Sequence, residues 1–299
     1  MKTIENEYFQ AQINEVGAEL TSLIDKKSGV NCIWDGDPDV WAKHAPNLFP
    51  AIGRSMNDHY YVDGKKYEMP QHGVGFFHKY SAEQLSSNRV KFTMRSDDET
   101  KRYYPFEFEF SIKFELVGRR LRMIDTVKNL NDKPMSFAVG THPAFNVPIG
   151  STSNDRFEDY YLTFDPSVKT LKYHEFTFKT GVPLRTGKIL KLNEYNGNFL
   201  PLTHELFKDG LIVMTESNSL NGVSLKSKDG KHSVTAHFND FPQLCLWTQN
   251  DPKAKFLCIE PFYGVSDKYG DEIELKNKEG NCVLDEHQER SFIIDYDIE

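Results

Sequence analysis

Residues 106–116 read FEFEFSIKFEL, and this stretch decides the fold class. Phe106, Phe108, Phe110, Ile112, Phe114 and Leu116 alternate with Glu107, Glu109, Ser111, Lys113 and Glu115. Successive side chains of a strand point to opposite faces, whereas a helix would wind these same phenylalanines around its whole circumference. The segment therefore reads as an antiparallel strand with one face in a core and the other in water. Shorter runs of the same alternation occur at residues 90–94, 223–225 and 234–238. Asp63-Gly64, Asp209-Gly210 and Asp229-Gly230 supply turns, the last placed between two such runs as a hairpin turn should be. Helical periodicity is confined to short stretches near residues 38–44 and 203–208. The chain has no internal repeat and no Gly/Ser linker, and its most polar stretch, residues 151–159, reads as a long loop. The prediction is an all-β protein: one large antiparallel β-sandwich domain over residues 1–299, with a few short helices.

The totals narrow the function classes. Net charge is −8 with no basic cluster, which argues against nucleic acid or an anionic membrane surface as a partner. No apolar tract approaches the roughly 18 residues that a membrane helix needs. The opening MKTIENEYFQ lacks the apolar core of a signal peptide, and Cys32, Cys245, Cys258 and Cys282 form no CxxC pair. Buried thiols in a reducing, cytoplasmic compartment are expected, in a protein that acts on something small.

Nucleotide-binding, serine-hydrolase and zinc-protease motifs are all absent: there is no GxGxxG opening a helix, GxxxxGK[ST], GxSxG or HExxH. What remains are ionisable residues at the ends of apolar strands. In MSFAVGTHPAFN, residues 135–146, one strand face carries Ser136, Ala138 and Gly140 and then His142. That face is nearly bare, and it predicts a pocket floor beside the imidazole. In FLCIEPFYG, residues 256–264, Phe256, Cys258 and Glu260 share a face. Proline follows both His142 and Glu260. It biases the residue before it to an extended conformation and cannot donate to a ladder, so both groups should sit where strand pairing stops. His72 in MPQHGVGFF (69–77) lies in a turn, and Arg54 ends the apolar NLFPAIGR (47–54). Each has a bland alternative: a hydrogen-bonded structural histidine, or a buried Glu260–Arg54 ion pair. Spacing alone does not bring the four pieces together.

NLFPAIGR, MPQHG, THPAFN and CIEPFYG, in this order, resemble the aldose 1-epimerase (galactose mutarotase-like) family, and within it the LacX-type bacterial branch. The likeness runs from GAELTSL at residues 17–23 to the C-terminal strands. It implies an antiparallel supersandwich and an isomerase that interconverts the α and β anomers of a hexose. It further implies His142 as general acid, Glu260 as general base, His72 as the group orienting the sugar at its ring oxygen, and Arg54 as a contact to sugar hydroxyls. No cofactor or metal is implied, and the partner is a small sugar, phosphorylated or not, bound by a monomer or homodimer. One departure bears on substrate preference: where relatives in this branch often carry HGFAR, this chain has HGVGFF, and Phe76 stands in place of the arginine.

The residue types suit the chemistry. Ring opening takes a proton from the C1 hydroxyl and delivers one to the ring oxygen, and each such transfer by a placed side chain is worth about 10²–10⁴-fold. The acid and base are expected on opposite sides of the sugar ring, their functional atoms about a ring's width apart and too far for a direct hydrogen bond. Three rivals stand beside this reading. One is a His₂Glu metal site. Another is an idle carbohydrate-binding module. The third is a hexose-6-phosphate 1-epimerase, which should display a Lys/Arg cluster.

Overall fold

A computed structural model describes residues 1–150 and 155–299. The predicted strand is present as Phe108–Val117, paired antiparallel with Arg120–Asn129. Phe108, Phe110, Ile112, Phe114 and Leu116 are all buried, and Arg95 closes on Glu109 at 2.7 Å along the wet face. These two strands are interior neighbours in a nine-stranded antiparallel sheet. Beyond Arg120–Asn129 follow Glu289–Ile298, Ser233–His237, Gly222–Ser227, Tyr160–Asp165 and Leu200–Pro201; beyond Phe108–Val117 lie Arg89–Arg95 and Ser81–Ser86. Asp229-Gly230 makes the Gly222–Ser227/Ser233–His237 hairpin, and Asp63-Gly64 joins His59–Val62 to Lys65–Glu68.

A second sheet carries the site. Its order is Ile212–Val213, Gln243–Trp247, Phe256–Tyr263, Val139–Thr141, Asn47–Leu48, with Ala144–Asn146 also pairing Phe256–Tyr263. The two sheets meet through a continuous apolar core in which Phe49 stacks on Phe110, ring centroids 4.6 Å apart. The antiparallel sandwich is therefore as expected, and all four cysteines are buried free thiols. No helix among the described residues is long and apolar enough to cross a membrane.

Of the two short helices expected, one is present and one is not. Thr203 caps a 3₁₀ turn, His204–Phe207, with its Oγ1 accepting from the Leu206 N–H, so one short helical turn exists there. Residues 38–44 hold only a turn. Tertiary partners claim the backbone groups that a helix would use: the Glu19 carboxylate accepts from the His44 and Ala45 N–H groups, and the Trp41 carbonyl accepts from the Trp34 indole. Of the polar stretch at 151–159, residues 151–154 lie outside the described residues, and Phe157–Asp159 forms a 3₁₀ turn.

Candidate active site

The site begins with a gap in a ladder. On one side of Phe256–Tyr263, Val139 and Gly140 pair with Tyr263 and Phe262, and Ala144 pairs with Cys258. Between these registers His142, Pro143, Glu260 and Pro261 have no ladder partners on this side, and the Ile259 N–H donating to the Pro143 carbonyl at 3.2 Å is the backbone bond across the gap. Both prolines sit where no ladder donor is required. On the other side the strand stays paired, Cys245 opposite Glu260. The interruption is thus one-sided, and it sets the imidazole and the carboxyl next to each other: His142 Nε2 lies 3.4 Å from Glu260 Oε1.

That distance corrects the expected separation across a sugar ring. The ring oxygen and the C1 hydroxyl are bonded to the same carbon, so an acid and a base serving them can approach from one direction as neighbours.

Both groups are buried at the floor of a pocket of about 400 Å³, a size typical of small-ligand sites. Trp41 stacks on the His142 ring (5.1 Å, 25°), and Trp247 meets it edge-on (5.7 Å, 78°). The His142 backbone N–H is held by the Pro46 carbonyl at 2.9 Å. Its Nδ1 and Glu260 Oε1 are buried without hydrogen-bond partners among the described residues. Buried polar atoms without partners are costly unless a ligand or water satisfies them.

Burial, with His72 adding to it, lowers the His142 pKa to about 3, and burial pushes the Glu260 carboxyl well above the carboxylate range. The Cys245 thiol, hydrogen-bonded to Glu260, opposes that rise without overcoming it. The ligand-free pair is therefore a neutral imidazole beside a protonated acid, not the imidazolium and carboxylate that the resemblance implies. The two forms hold the same single proton, and a coupled pair titrates as a unit.

His72 joins this centre, its ring centroid 5.7 Å from that of His142. Its backbone is left-handed (φ 64°), the following Gly73 is also at positive φ, and a Cβ on Gly73 would run into the Phe49 carbonyl. The turn glycine is thus needed to seat His72 against the NLFPAIGR segment. Gly53 N–H donates to His72 Nδ1 at 3.2 Å, and the Gln71 side-chain amide lies 3.2 Å from His72 Nε2. Burial, and then the nearby Arg54 charge, lowers the His72 pKa to about 4. Arg54 itself does not line the pocket: its Nη1 pairs with Asp58 at 2.9 Å, and its buried Nε has no partner among the described residues. It is therefore not the ion-pair partner of Glu260.

The bare strand face is not the pocket floor. Ser136 Oγ donates to the Leu275 carbonyl at 3.1 Å, away from the site, and the Ala138 N–H donates to Pro50. Gly140 is small because a Cβ there would meet the Cβ of Phe262 and lie 2.8 Å from the Pro261 carbonyl oxygen. Absence of bulk at this face lets two strands approach, and no ligand space results.

The sequence reading missed the aromatic walls, Trp41, Trp247, Phe176 and Phe178, together with Gln71 and Lys43. Trp247 was within reach, since it continues the face of Cys245 along QLCLW; Trp41 lies in an irregular loop that carries no periodic signal. Lys43 is the one permanent charge among the lining residues, with its Nζ over the Phe76 ring 5.3 Å from the centroid.

A sequence model of the family described as aldose 1-epimerase matches residues 1–297. The plasmid-encoded protein LacX of Lactococcus lactis subsp. lactis is 30% identical over 293 residues, covering 95% of this chain and 92% of LacX. A galactose mutarotase-like protein from Lactobacillus casei superposes with a TM-score of 0.92 at 36% identity, covering each chain completely. A galactose mutarotase related enzyme from Lactobacillus acidophilus superposes at 0.89 with 29% identity, over all of this chain and 97% of its own.

Proposed function

Because the chain belongs to the aldose 1-epimerase family, we propose that it is a mutarotase that interconverts the α and β anomers of a hexose at the His142–Glu260 pair. The observation that carries this reading is the 3.4 Å approach of imidazole and carboxyl at the end of an aromatic pocket, with His142 Nδ1 and Glu260 Oε1 buried without hydrogen-bond partners among the described residues. A sugar seated there donates its C1 hydroxyl to Glu260 and accepts at its ring oxygen from His142. These bonds favour the imidazolium–carboxylate form over the neutral form of the empty pocket. Glu260 takes the C1 hydroxyl proton as His142 protonates the ring oxygen, and the C1–O bond to the ring breaks. The aldehyde turns about C1–C2 and closes on its other face as the two groups return their protons. Neutral His72 donates toward the same oxygens, and Arg54 acts through its charge on His72.

Lys43 favours a second reading of the substrate, a hexose 6-phosphate, since it is a cation in the lining with no carboxylate partner among the described residues. Polarimetry on freshly dissolved α-glucose, α-galactose and the corresponding 6-phosphates, with EDTA present, tests both. The expected result is accelerated rotation for at least one sugar. Binding without acceleration for every sugar would establish an idle binding module instead.

A further inference from the structure

The strand Phe256–Tyr263 turns Cys258 and Glu260 to one face, and the ladder gap beside them admits His142. One donor atom from each residue, an imidazole nitrogen, a thiol sulfur and a carboxyl oxygen, lies within 4.8 Å of the other two. All three residues are buried. Cys258 does not line the sugar pocket and takes no part in the proton transfers. Its packing against Trp34, Ala144 and Phe256 accounts for a small apolar residue at this position. It does not account for sulfur beside both an imidazole and a carboxyl.

We propose that His142, Cys258 and Glu260 form a binding site for a thiophilic divalent cation of the zinc class, and that its occupancy stops anomer exchange. The site itself stands apart from the mutarotase reading; only the inhibition rests on that reading.

Zinc takes nitrogen and oxygen at about 2.0–2.2 Å and sulfur at about 2.3 Å in tetrahedral array, which sets donor–donor separations near 3.3–3.7 Å. The His142–Glu260 separation of 3.4 Å already meets this. The longest of the remaining separations closes by about 1–1.5 Å, within the reach of side-chain rotation. Three protein ligands leave the fourth position open toward the pocket. Thiolate selects zinc, cadmium or cobalt over magnesium and calcium. On binding, metal–nitrogen, metal–sulfur and metal–oxygen bonds form, and the Cys258 thiol proton and the Glu260 carboxyl proton leave to solvent. Nothing is oxidised or reduced. With the His142 lone pair and the Glu260 oxygen engaged, neither group can exchange a proton with a sugar.

The test is a titration of the whole protein with Co²⁺, read by its sulfur-to-cobalt charge-transfer absorption. One equivalent should saturate the band, and Zn²⁺ should displace it. Cys258→Ser and Cys258→Ala should both abolish the band, while Cys245→Ser, altering the thiol across the ladder, should keep it. In parallel, Zn²⁺ should suppress anomer exchange and EDTA should restore it. Cys258→Ala should need roughly tenfold more zinc, or above, for the same fractional loss relative to its own metal-free rate. No charge-transfer band in the unmutated protein would overturn the site. So would a band that survives in both Cys258 variants with unchanged melting. A Cys258-dependent band in a protein inert toward every sugar would uphold the metal site and overturn the mutarotase reading instead.

Discussion

Glu260→Gln tests the proposed reaction at its centre. Glu260 is 3% exposed, and burial keeps its carboxyl protonated in the empty pocket, so the amide replaces a neutral group of the same shape. The fold and the pocket walls should therefore persist. The amide cannot accept the C1 hydroxyl proton, so turnover should fall by about 10²–10⁴-fold, equivalent to about 3–6 kcal/mol of lost transition-state stabilisation. Sugar affinity should change little, because the amide still hydrogen-bonds in the ground state. Anomer-exchange rates come from polarimetry, and affinity from the fluorescence of Trp41 and Trp247, both in the pocket lining. A stability signature accompanies the kinetic one. The folded pKa of Glu260 is raised above its unfolded value of 4.5, so between the two the folded state holds a proton that the unfolded state releases. The unmutated protein then loses stability as pH rises above about 4.5, by up to about 1.4 kcal/mol per pH unit from this group. Glu260→Gln removes that loss and should melt higher than the parent at pH 8, with the advantage vanishing toward pH 4. Unchanged exchange rates in the folded variant would refute the role of Glu260 as base.

Asp125, in Arg120–Asn129, has both carboxyl oxygens buried without partners among the described residues, and burial raises its pKa to about 8. Its folded pKa lies above the unfolded 3.8, so the stability tied to it is present below about pH 4 and lost on rising to about pH 8. Asp125→Asn should flatten that decline and gain on the order of a few kcal/mol at pH 8–9, as denaturant melts at several pH values will show; parallel profiles would contradict it. Arg54→Ala should weaken sugar binding at least as much as turnover. It should also raise the His72 pKa from its depressed value, readable by NMR titration, because the Arg54 charge is one cause of that depression. An unmoved His72 would remove Arg54 from the site. Gly140→Ala forces a methyl against Phe262 and should cost about 1–3 kcal/mol in urea unfolding, whereas a neutral outcome would mean the strands there part easily.

Much of the architecture was legible in the chain. FEFEFSIKFEL commits its residues to a two-faced strand whatever its neighbours do, because period-two burial has no helical solution. The Asp-Gly turns at 63–64 and 229–230 were equally local, since the positive φ of Asp63, Gly64 and Gly230 suits those residue types. The motifs around His142, Glu260 and His72 were legible as chemistry, and these three side chains do converge. Residues 38–44 were not legible as a loop, because Glu19 and Trp34 compete for their backbone groups from elsewhere in the chain.

Local pattern, then, determined which segments are strands, which residues turn the chain, and which ionisable groups end beside prolines. Only the tertiary structure decided what those groups face. The register of Phe256–Tyr263 against two strands that leave a gap sets His142 beside Glu260, a relation between residues more than a hundred positions apart that neither stretch encodes alone. The same packing turned a bare strand face into a close contact with Phe262 and drew Trp41 from an irregular loop onto His142. It also buried the pair enough to hold both groups neutral, taking from Glu260 the charge that free glutamate carries at neutral pH. The physical reason is that periodicity is a property of neighbours along the chain. Separation, enclosure and desolvation are set by which surfaces the core brings into contact.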